Sequence, residues 1–256
     1  MKESRPEAAD FPKLNFRFLF AAFVTLFATL LFGSLALLGM LIRLPLPVLE
    51  KFSRFWARCI LGASGIRVQL RGLEHLSESA AVMVGNHQGM FDILVLLGYL
   101  SRPPVFVAKQ ELFKIPLFGQ AMLALGHIPV DRKDREKAIA SIQKGTQKLN
   151  KNEQKVVFFP EGTRTRDGQM LPFKKGAFVF AQESGLPLTP FMIRGSYQAL
   201  PPGVRVVRPG LIEVVFLPSV DPGSYSVEQR ELLIEAVRQQ IENQLHLSEQ
   251  RAEIPG

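Results

Sequence analysis

The stretch "GNHQGMFDI", residues 85–93, places His87 five positions ahead of Asp92, directly after the apolar run 80–84. An imidazole titrates near neutrality, and a carboxylate can fix its tautomer, so the pair has the composition of a general-base device. The same letters also read as punctuation. A strand ends at Gly85, a polar turn follows, and Asp92 caps a helix that begins at Ile93. The pair by itself does not decide between the two.

Other polar residues of chemical interest fall in similar places. "FFPEGTRTRDG", residues 158–168, presents Glu161, Gly162, Thr163, Arg164 and Arg166 immediately after an apolar run. Guanidinium groups offer paired donors in a plane, and glycine exposes backbone N–H groups, so such a loop suits phosphate oxygens. The plainer reading is a solvated turn in which two arginines and an aspartate pair at the surface. "GHIPVDR" brings Arg132 to the end of another apolar stretch, and "AKQELF" supplies Lys109.

The elements that must hold these loops follow from periodicity. Short β-rich runs at 66–70, 80–84, 105–108, 155–159, 188–193 and 211–217 alternate with helical stretches, among them 135–149 and 227–245. Such alternation predicts an α/β fold with a mixed, partly parallel sheet flanked by helices, whose ligands gather at strand ends. The tail from Ser248 onward is expected to fray.

The first sixty residues differ in kind. From Phe18 to Ile42 there is no charge, and Arg17 and Arg43 bound a stretch long enough to cross a bilayer. The absence of a small-residue cleavage site after it predicts retention as an anchor. Gly33 and Ser34 lie near its middle and offer a bend for a re-entrant hairpin. The following segment brings Val48, Leu49, Phe52, Phe55, Trp56, Cys59 and Ile60 to one side and Lys51, Arg54 and Arg58 to the other. This predicts a helix lying in the headgroup layer with its cations against anionic lipid. Residues 1–62 are therefore read as a membrane anchor and interfacial helix, and 63–256 as the catalytic domain. Both flanks of the apolar run are basic, so charge assigns no orientation.

Length and composition set outer bounds. A chain of 256 residues with 47% hydrophobic content carries one principal core, and wholesale disorder is excluded. The formal charge of +8 favours an anionic partner. Nucleic acid fits poorly, because the basic residues are spread along the chain without an aromatic-basic motif. Cys59 is the only cysteine, which excludes an internal disulfide and a thiolate metal cluster. A metal held by His87, Asp92 and Glu161 matches a dedicated site poorly, and none is expected. His75, His127 and His246 have no comparable partner in sequence; His127 sits beside the arginine block.

Taken in order, "NHQGMFD", "VAKQELFKIPLFG", "GHIPVDR", "FPEGTRTRDG", "FKKGA" and "LPLTP" resemble the glycerolipid acyltransferase family, specifically the 1-acylglycerol-3-phosphate acyltransferases. The resemblance runs from about Ile66 to about Leu217. In the second block Ile128 stands where the family often has an aromatic or other apolar residue. The resemblance implies transfer of a fatty acyl group from a thioester of acyl-carrier protein or coenzyme A to the free hydroxyl of a lysophospholipid, with no further cofactor. It implies His87 as the base and Asp92 as its orienting partner. Arg164 and Arg132 would hold the acceptor phosphate with Lys109 assisting, while Glu161, Gly162 and Thr163 shape the arginine loop, backbone groups near Gly162 being one candidate for oxyanion donors. Glycerol 3-phosphate or a lyso-aminolipid is the alternative acceptor, and a non-catalytic anion-binding protein at the membrane is the alternative class. The implied location is a membrane, at the cytoplasmic face of the inner or plasma membrane.

Overall fold

The computed structural model describes residues 14–131 and 154–253, with the side chains of the last three left aside. Seven strands form one sheet: β1 (Ile66–Arg71), β2 (Ala81–Gly85), β3 (Val105–Lys109), β4 (Ile128–Val130), β5 (Lys155–Phe158), β6 (Leu188–Arg194) and β7 (Gly210–Phe216). Their spatial order is β1-β7-β6-β2-β5-β3-β4, and every neighbouring pair is parallel except β6 with β7. The expected mixed, partly parallel sheet is thus observed. The three-residue β4, with Pro129 at its centre, is the strand that periodicity passed over.

Alternation along the strands divides the core into two layers. Met83 of β2 joins one cluster, while Val82 and Val84 join the other; Ile212 and Val214 of β7 join the first and Val215 the second. The first layer is covered by α2 (Leu46–Ala63) and α3 (Phe91–Tyr99), which contribute Ala57, Leu61, Val95 and Leu96. The second is covered by α5 (Gly176–Ser184) and α7 (Arg230–Glu253), through Phe178, Ala181, Leu233 and Val237. Between β3 and β4 lies α4 (Phe118–Ala124), and a single turn, α6 (Ser196–Ala199), follows β6. Rather than fraying at Ser248, α7 continues through Glu253.

The N-terminal region is a helical hairpin, and its turn is not where the glycine suggested. α1 (Phe16–Leu41) runs unbroken through Gly33 and Ser34, and the chain reverses over 42–45 into α2. Gly33 is buried because α1 lays small residues inward, Ala21, Ala28, Gly33, Ala36 and Gly39, against its neighbours. Its outer side is apolar and bare, with Phe23 66%, Leu26 62% and Phe27 59% exposed. At 26 residues, about 39 Å at 1.5 Å per residue, α1 is long and apolar enough to cross a bilayer. Asn15 secures its start: the side-chain oxygen accepts from Phe18 N–H at 2.8 Å, and the amide donates to the Val207 carbonyl at 2.8 Å.

The polar side of α2 departs from expectation. Arg58 Nε donates to the Gly98 carbonyl at 2.7 Å, with its guanidinium 5.1 Å from the Tyr99 ring centre, and Arg54 donates to the Ser101 carbonyl. Two of the three cations expected against lipid therefore serve the carboxyl end of α3, where unpaired carbonyls and the helix dipole favour positive charge. Lys51 remains exposed. Likewise Ala57, Ile60 and Leu61 face the protein core, and Phe55 points out at 54% exposure.

Candidate active site

His87 and Asp92 sit at the carboxyl end of β2, the strand flanked by β5 and β6. Asn86 pins the loop that carries them. Its amide donates to the Ile193 carbonyl at 2.8 Å and its oxygen accepts the Ile193 N–H at 2.7 Å, so the departing chain stays tied to β6. Asp92 falls in the first turn of α3 and is fully buried. Its Oδ2 lies 2.8 Å from His87 Nδ1 and accepts the backbone N–H groups of Gln88 and Gly89, each at 2.8 Å. Asp92 thus closes the preceding loop over itself instead of capping the helix it enters.

An ionised carboxylate only accepts, so the Nδ1 proton of His87 points to Asp92 and the Nε2 lone pair is left for chemistry. The ring stacks on Phe159, with centroids 4.1 Å apart and planes 17° from parallel. The close turn needs Gly89: a Cβ there would lie 2.8 Å from the backbone oxygen of Ser196 and would strike that residue's hydroxyl. The Asp92 Oδ1, the Gln88 Oε1 and the Ser196 Oγ are buried without partners among the described residues.

The loop after β5 locks onto the first. Glu161 Oε1 accepts the His87 N–H at 2.7 Å, and Oε2 accepts the Leu171 N–H at 2.8 Å. Thr165 N–H donates to the His87 carbonyl at 3.1 Å. Burial raises the Glu161 carboxyl above its usual value, with the two backbone donors pulling it back. Both of its oxygens are occupied by these amides. The loop is held by Thr165, whose hydroxyl donates to Asp167 at 2.9 Å, and by Tyr197, whose hydroxyl donates to the Arg166 carbonyl at 2.9 Å, rather than by arginine-aspartate pairing.

The structure brings His87, Asp92 and Glu161 into direct contact. Thr163 is exposed and Arg164 half-buried one turn of chain further on, and the Arg164 side chain has no partner among the described residues. Gly162 adopts φ 73°, and its N–H donates to the Phe159 carbonyl at 3.0 Å, so that particular amide is spent and is not an oxyanion donor. Lys109 ends β3 and pairs with Glu111 at 3.3 Å on the surface. Arg132 and the expected helix 135–149 lie outside the described residues. Sequence reasoning missed Lys174. A Cβ on Gly162 would fall 2.7 Å from its Nζ, so glycine there leaves room for an ammonium group above the arginine loop. The quoted "FKKGA" contained it, but two adjacent lysines look alike in sequence; Lys175 instead pairs with Glu231.

An apolar chamber of about 110 Å³ is walled largely by α1, α2, α3 and α4. Ile93 and Leu97, the residue after Asp92 and the one a turn beyond it, contribute to its lining together with Phe32, Phe52 and Trp56.

Residues 67–194 match the family model for acyltransferases. The chain is similar to a 1-acyl-sn-glycerol-3-phosphate acyltransferase of Limnanthes douglasii, 34% identical over 64% of this chain and 58% of that protein. A chloroplastic enzyme of that name from Arabidopsis thaliana is 34% identical over 66% of this chain and 49% of its own length. One from Salmonella typhimurium is 35% identical over 59% and 62%. The chain thus spans roughly half to three fifths of the length of these curated relatives. Among solved structures, the crystal structure of the 1-acyl-sn-glycerophosphate acyltransferase PlsC from Thermotoga maritima superposes with a TM-score of 0.78 at 26% identity, covering 94% of this chain and 97% of that one.

Proposed function

The chain belongs to the acyltransferase family, and we propose that it transfers a fatty acyl group from a coenzyme A or acyl-carrier-protein thioester to the sn-2 hydroxyl of 1-acyl-sn-glycerol 3-phosphate, forming phosphatidic acid. The observation that carries this reading is the His87–Asp92 contact through Nδ1, which leaves Nε2 without a hydrogen-bond partner among the described residues. Mere binding of an anion has no use for an oriented imidazole.

In the proposed step Nε2 of His87 takes the proton of the acceptor hydroxyl as its oxygen attacks the thioester carbonyl. Asp92 stabilises the imidazolium that forms. The tetrahedral intermediate then collapses, the C–S bond breaks, and the imidazolium returns its proton to the departing thiolate. No covalent enzyme intermediate is needed, so both substrates are bound together. Arg164 and Lys174 hold the acceptor phosphate from the loop that Glu161 anchors, with Arg132 and Lys109 as further cations. The apolar chamber, to whose lining Ile93 and Leu97 of α3 contribute, takes part of an acyl chain, since it is lined almost wholly by hydrocarbon.

The bare outer side of α1 supplies the membrane contact, and the cytoplasmic face is where acyl thioesters are available to the site. The test is the purified full chain in mixed micelles with each thioester donor, offered lysophosphatidic acid, glycerol 3-phosphate and a lyso-aminolipid side by side. Preference for lysophosphatidic acid, with intersecting double-reciprocal plots, is expected. Equal use of all acceptors would overturn the substrate assignment, and parallel plots would overturn direct attack.

A further inference from the structure

Arg54 and Arg58 are spent on α3, yet the topology gathers four other arginines at one place. β1 and β7 run opposite to the other five strands, so their amino ends lie at the end of the sheet that carries the dyad. Phe216 of β7 is level with Phe191 of β6, and Phe191 with Gly85 of β2. β7 begins at Gly210, which places the loop before it about 20 Å past Gly85 on the dyad's side.

The amino end of α1 is fastened to that loop. Asn15 N–H donates to the Arg205 carbonyl at 3.4 Å, and the Asn15 side-chain oxygen accepts the Val207 N–H at 3.2 Å. Gly210 N–H donates to the Gly65 carbonyl at 3.3 Å. A Cβ on Gly65 would fall 2.7 Å from Arg17 Nη1 and 3.1 Å from Pro209 Cβ, so the Arg17 guanidinium lies at this junction. Arg205 and Arg208 belong to the loop, and Arg67 is the second residue of β1. All four arginines are exposed. No Asp or Glu occurs at 14–49, 51–73 or 184–212, and Glu213, the first acid of β7, pairs with Arg71 at 3.1 Å. Phe16 and Leu19, on either side of Arg17 along α1, are 83% and 51% exposed.

Cations adjoining bare apolar side chains fit the boundary between phosphate headgroups and acyl chains. We propose that the amino end of α1 and the loop before β7 form a docking surface for anionic phospholipid headgroups, which holds the dyad's end of the sheet at the bilayer. This deepens the reading of α1 as the membrane contact and rests on it. The outer side of α1 inserts hydrocarbon whatever the lipid charge; the arginines add a preference for an anionic surface. They also choose an end. A lipid acceptor carries its phosphate and free hydroxyl at headgroup level, so the dyad's end must face that level, whereas Arg43 and Lys51 are exposed near the hairpin's turn at the opposite end of α1.

The test is flotation of the full chain, at graded lipid, with vesicles of phosphatidylcholine alone and of phosphatidylcholine mixed with phosphatidylglycerol. The readout is the ratio of the two affinities, with circular dichroism as the fold control. The wild type is expected to favour the anionic vesicles and to lose that preference in about 1 M NaCl, where the Debye length is about 3 Å. Arg17→Gln with Arg205→Gln should lower the ratio about 25-fold, roughly fivefold for each cation near an anionic surface. Arg43→Gln with Lys51→Gln removes the same charge and should leave the ratio within about twofold, because those cations stand more than a Debye length from the docked end. Arg205 is bonded to α1 through its carbonyl and not its side chain, so Arg205→Gln alone keeps the fold and should cost about fivefold. Equal affinities in the wild type, an equal fall in the Arg43 and Lys51 pair, or an unchanged ratio in Arg205→Gln overturns the proposal. Flotation with neutral vesicles that persists through those outcomes leaves the membrane contact of α1 standing. Failure of the wild type to float with either vesicle overturns that contact and the docking surface together.

Discussion

The Oδ2 atom of Asp92 receives three hydrogen bonds at 2.8 Å, one from His87 Nδ1 and two from the backbone of the intervening loop, while Oδ1 receives none from the described residues. This asymmetry sets what substitution does. In Asp92→Asn the amide oxygen can keep the Oδ2 position and the NH2 group can take the vacant side, so the loop and the histidine tautomer survive and only the charge is lost. Turnover is expected to fall roughly 10²-fold, against roughly 10³-fold or more for His87→Ala, where the base itself is gone. Steady-state kinetics with circular dichroism as the fold control checks both. Equal losses would mean that the carboxylate charge matters as much as the base.

Gly89 is the residue on which that loop closes. Gly89→Ala places a methyl group against the Ser196 hydroxyl and 2.8 Å from its backbone oxygen. Activity is expected to drop at least as far as in Asp92→Asn. Ser196→Gly in the same chain should not restore it, because the backbone oxygen remains. Full rescue by the double substitution would show that the side chain alone made the conflict.

Glu161 predicts a pH effect on stability. Burial raises its folded pKa above 4.5, so the folded state holds this proton more tightly than the unfolded chain. Its favourable contribution is fully present below 4.5 and is lost as pH rises through the raised folded value. Glu161→Gln should flatten that slope. It should also lower the melting temperature by about 2–4 °C, because a glutamine presents one oxygen where two backbone N–H groups need acceptors. Thermal unfolding of both proteins between pH 4 and 7 gives the comparison. Parallel curves would mean that the group titrates alike in both states.

Much of the sheet could be read from local pattern, because each strand's apolar alternation answers to a layer on either side. The strand β4 could not, since three residues around Pro129 leave too short a period. The dyad was legible only in company: the spacing of His87 and Asp92 fits a helix cap as well as a base, and the ordered run of loop motifs resembling the glycerolipid acyltransferases is what singled the pair out. Glu161 was visible only as a loop residue, because its bond to the His87 backbone joins positions 74 apart, which no local spacing encodes. For α2 the periodicity was right and the partner wrong. An amphipathic pattern states that one side is covered, not by what, and Arg54 and Arg58 met the end of α3. Lys174 escaped for a related reason: its significance lies in the space above Gly162 and not in its neighbours along the chain.

Arg164 and Lys174 are expected to act on the acceptor. Either alanine substitution should lower kcat/KM for lysophosphatidic acid about 10- to 100-fold, the usual worth of a charge-assisted hydrogen bond, while the thioester KM stays close to wild type. Initial rates with each substrate varied in turn separate the two constants. A raised thioester KM with an unchanged acceptor dependence would move these cations to the donor's phosphates.

The two helices of the N-terminal hairpin should respond to charge in opposite ways. The outer side of α1 is apolar and largely exposed, so Phe23→Glu, Phe27→Glu and Leu30→Glu together disturb packing little but make insertion costly by about 2.5–3.5 kcal/mol per buried charge. Flotation with phospholipid vesicles should be lost while thermal unfolding is little changed. Arg54→Glu and Arg58→Glu do the reverse. They place carboxylates against the Ser101 and Gly98 carbonyls at the negative end of α3, and so should lower the melting temperature by several degrees. Because α3 begins at the dyad, they should also reduce turnover while flotation persists through α1. If the arginine variants instead lose vesicle binding with an unaltered melting curve, their guanidinium groups serve the lipid surface after all, and the contacts to α3 are secondary.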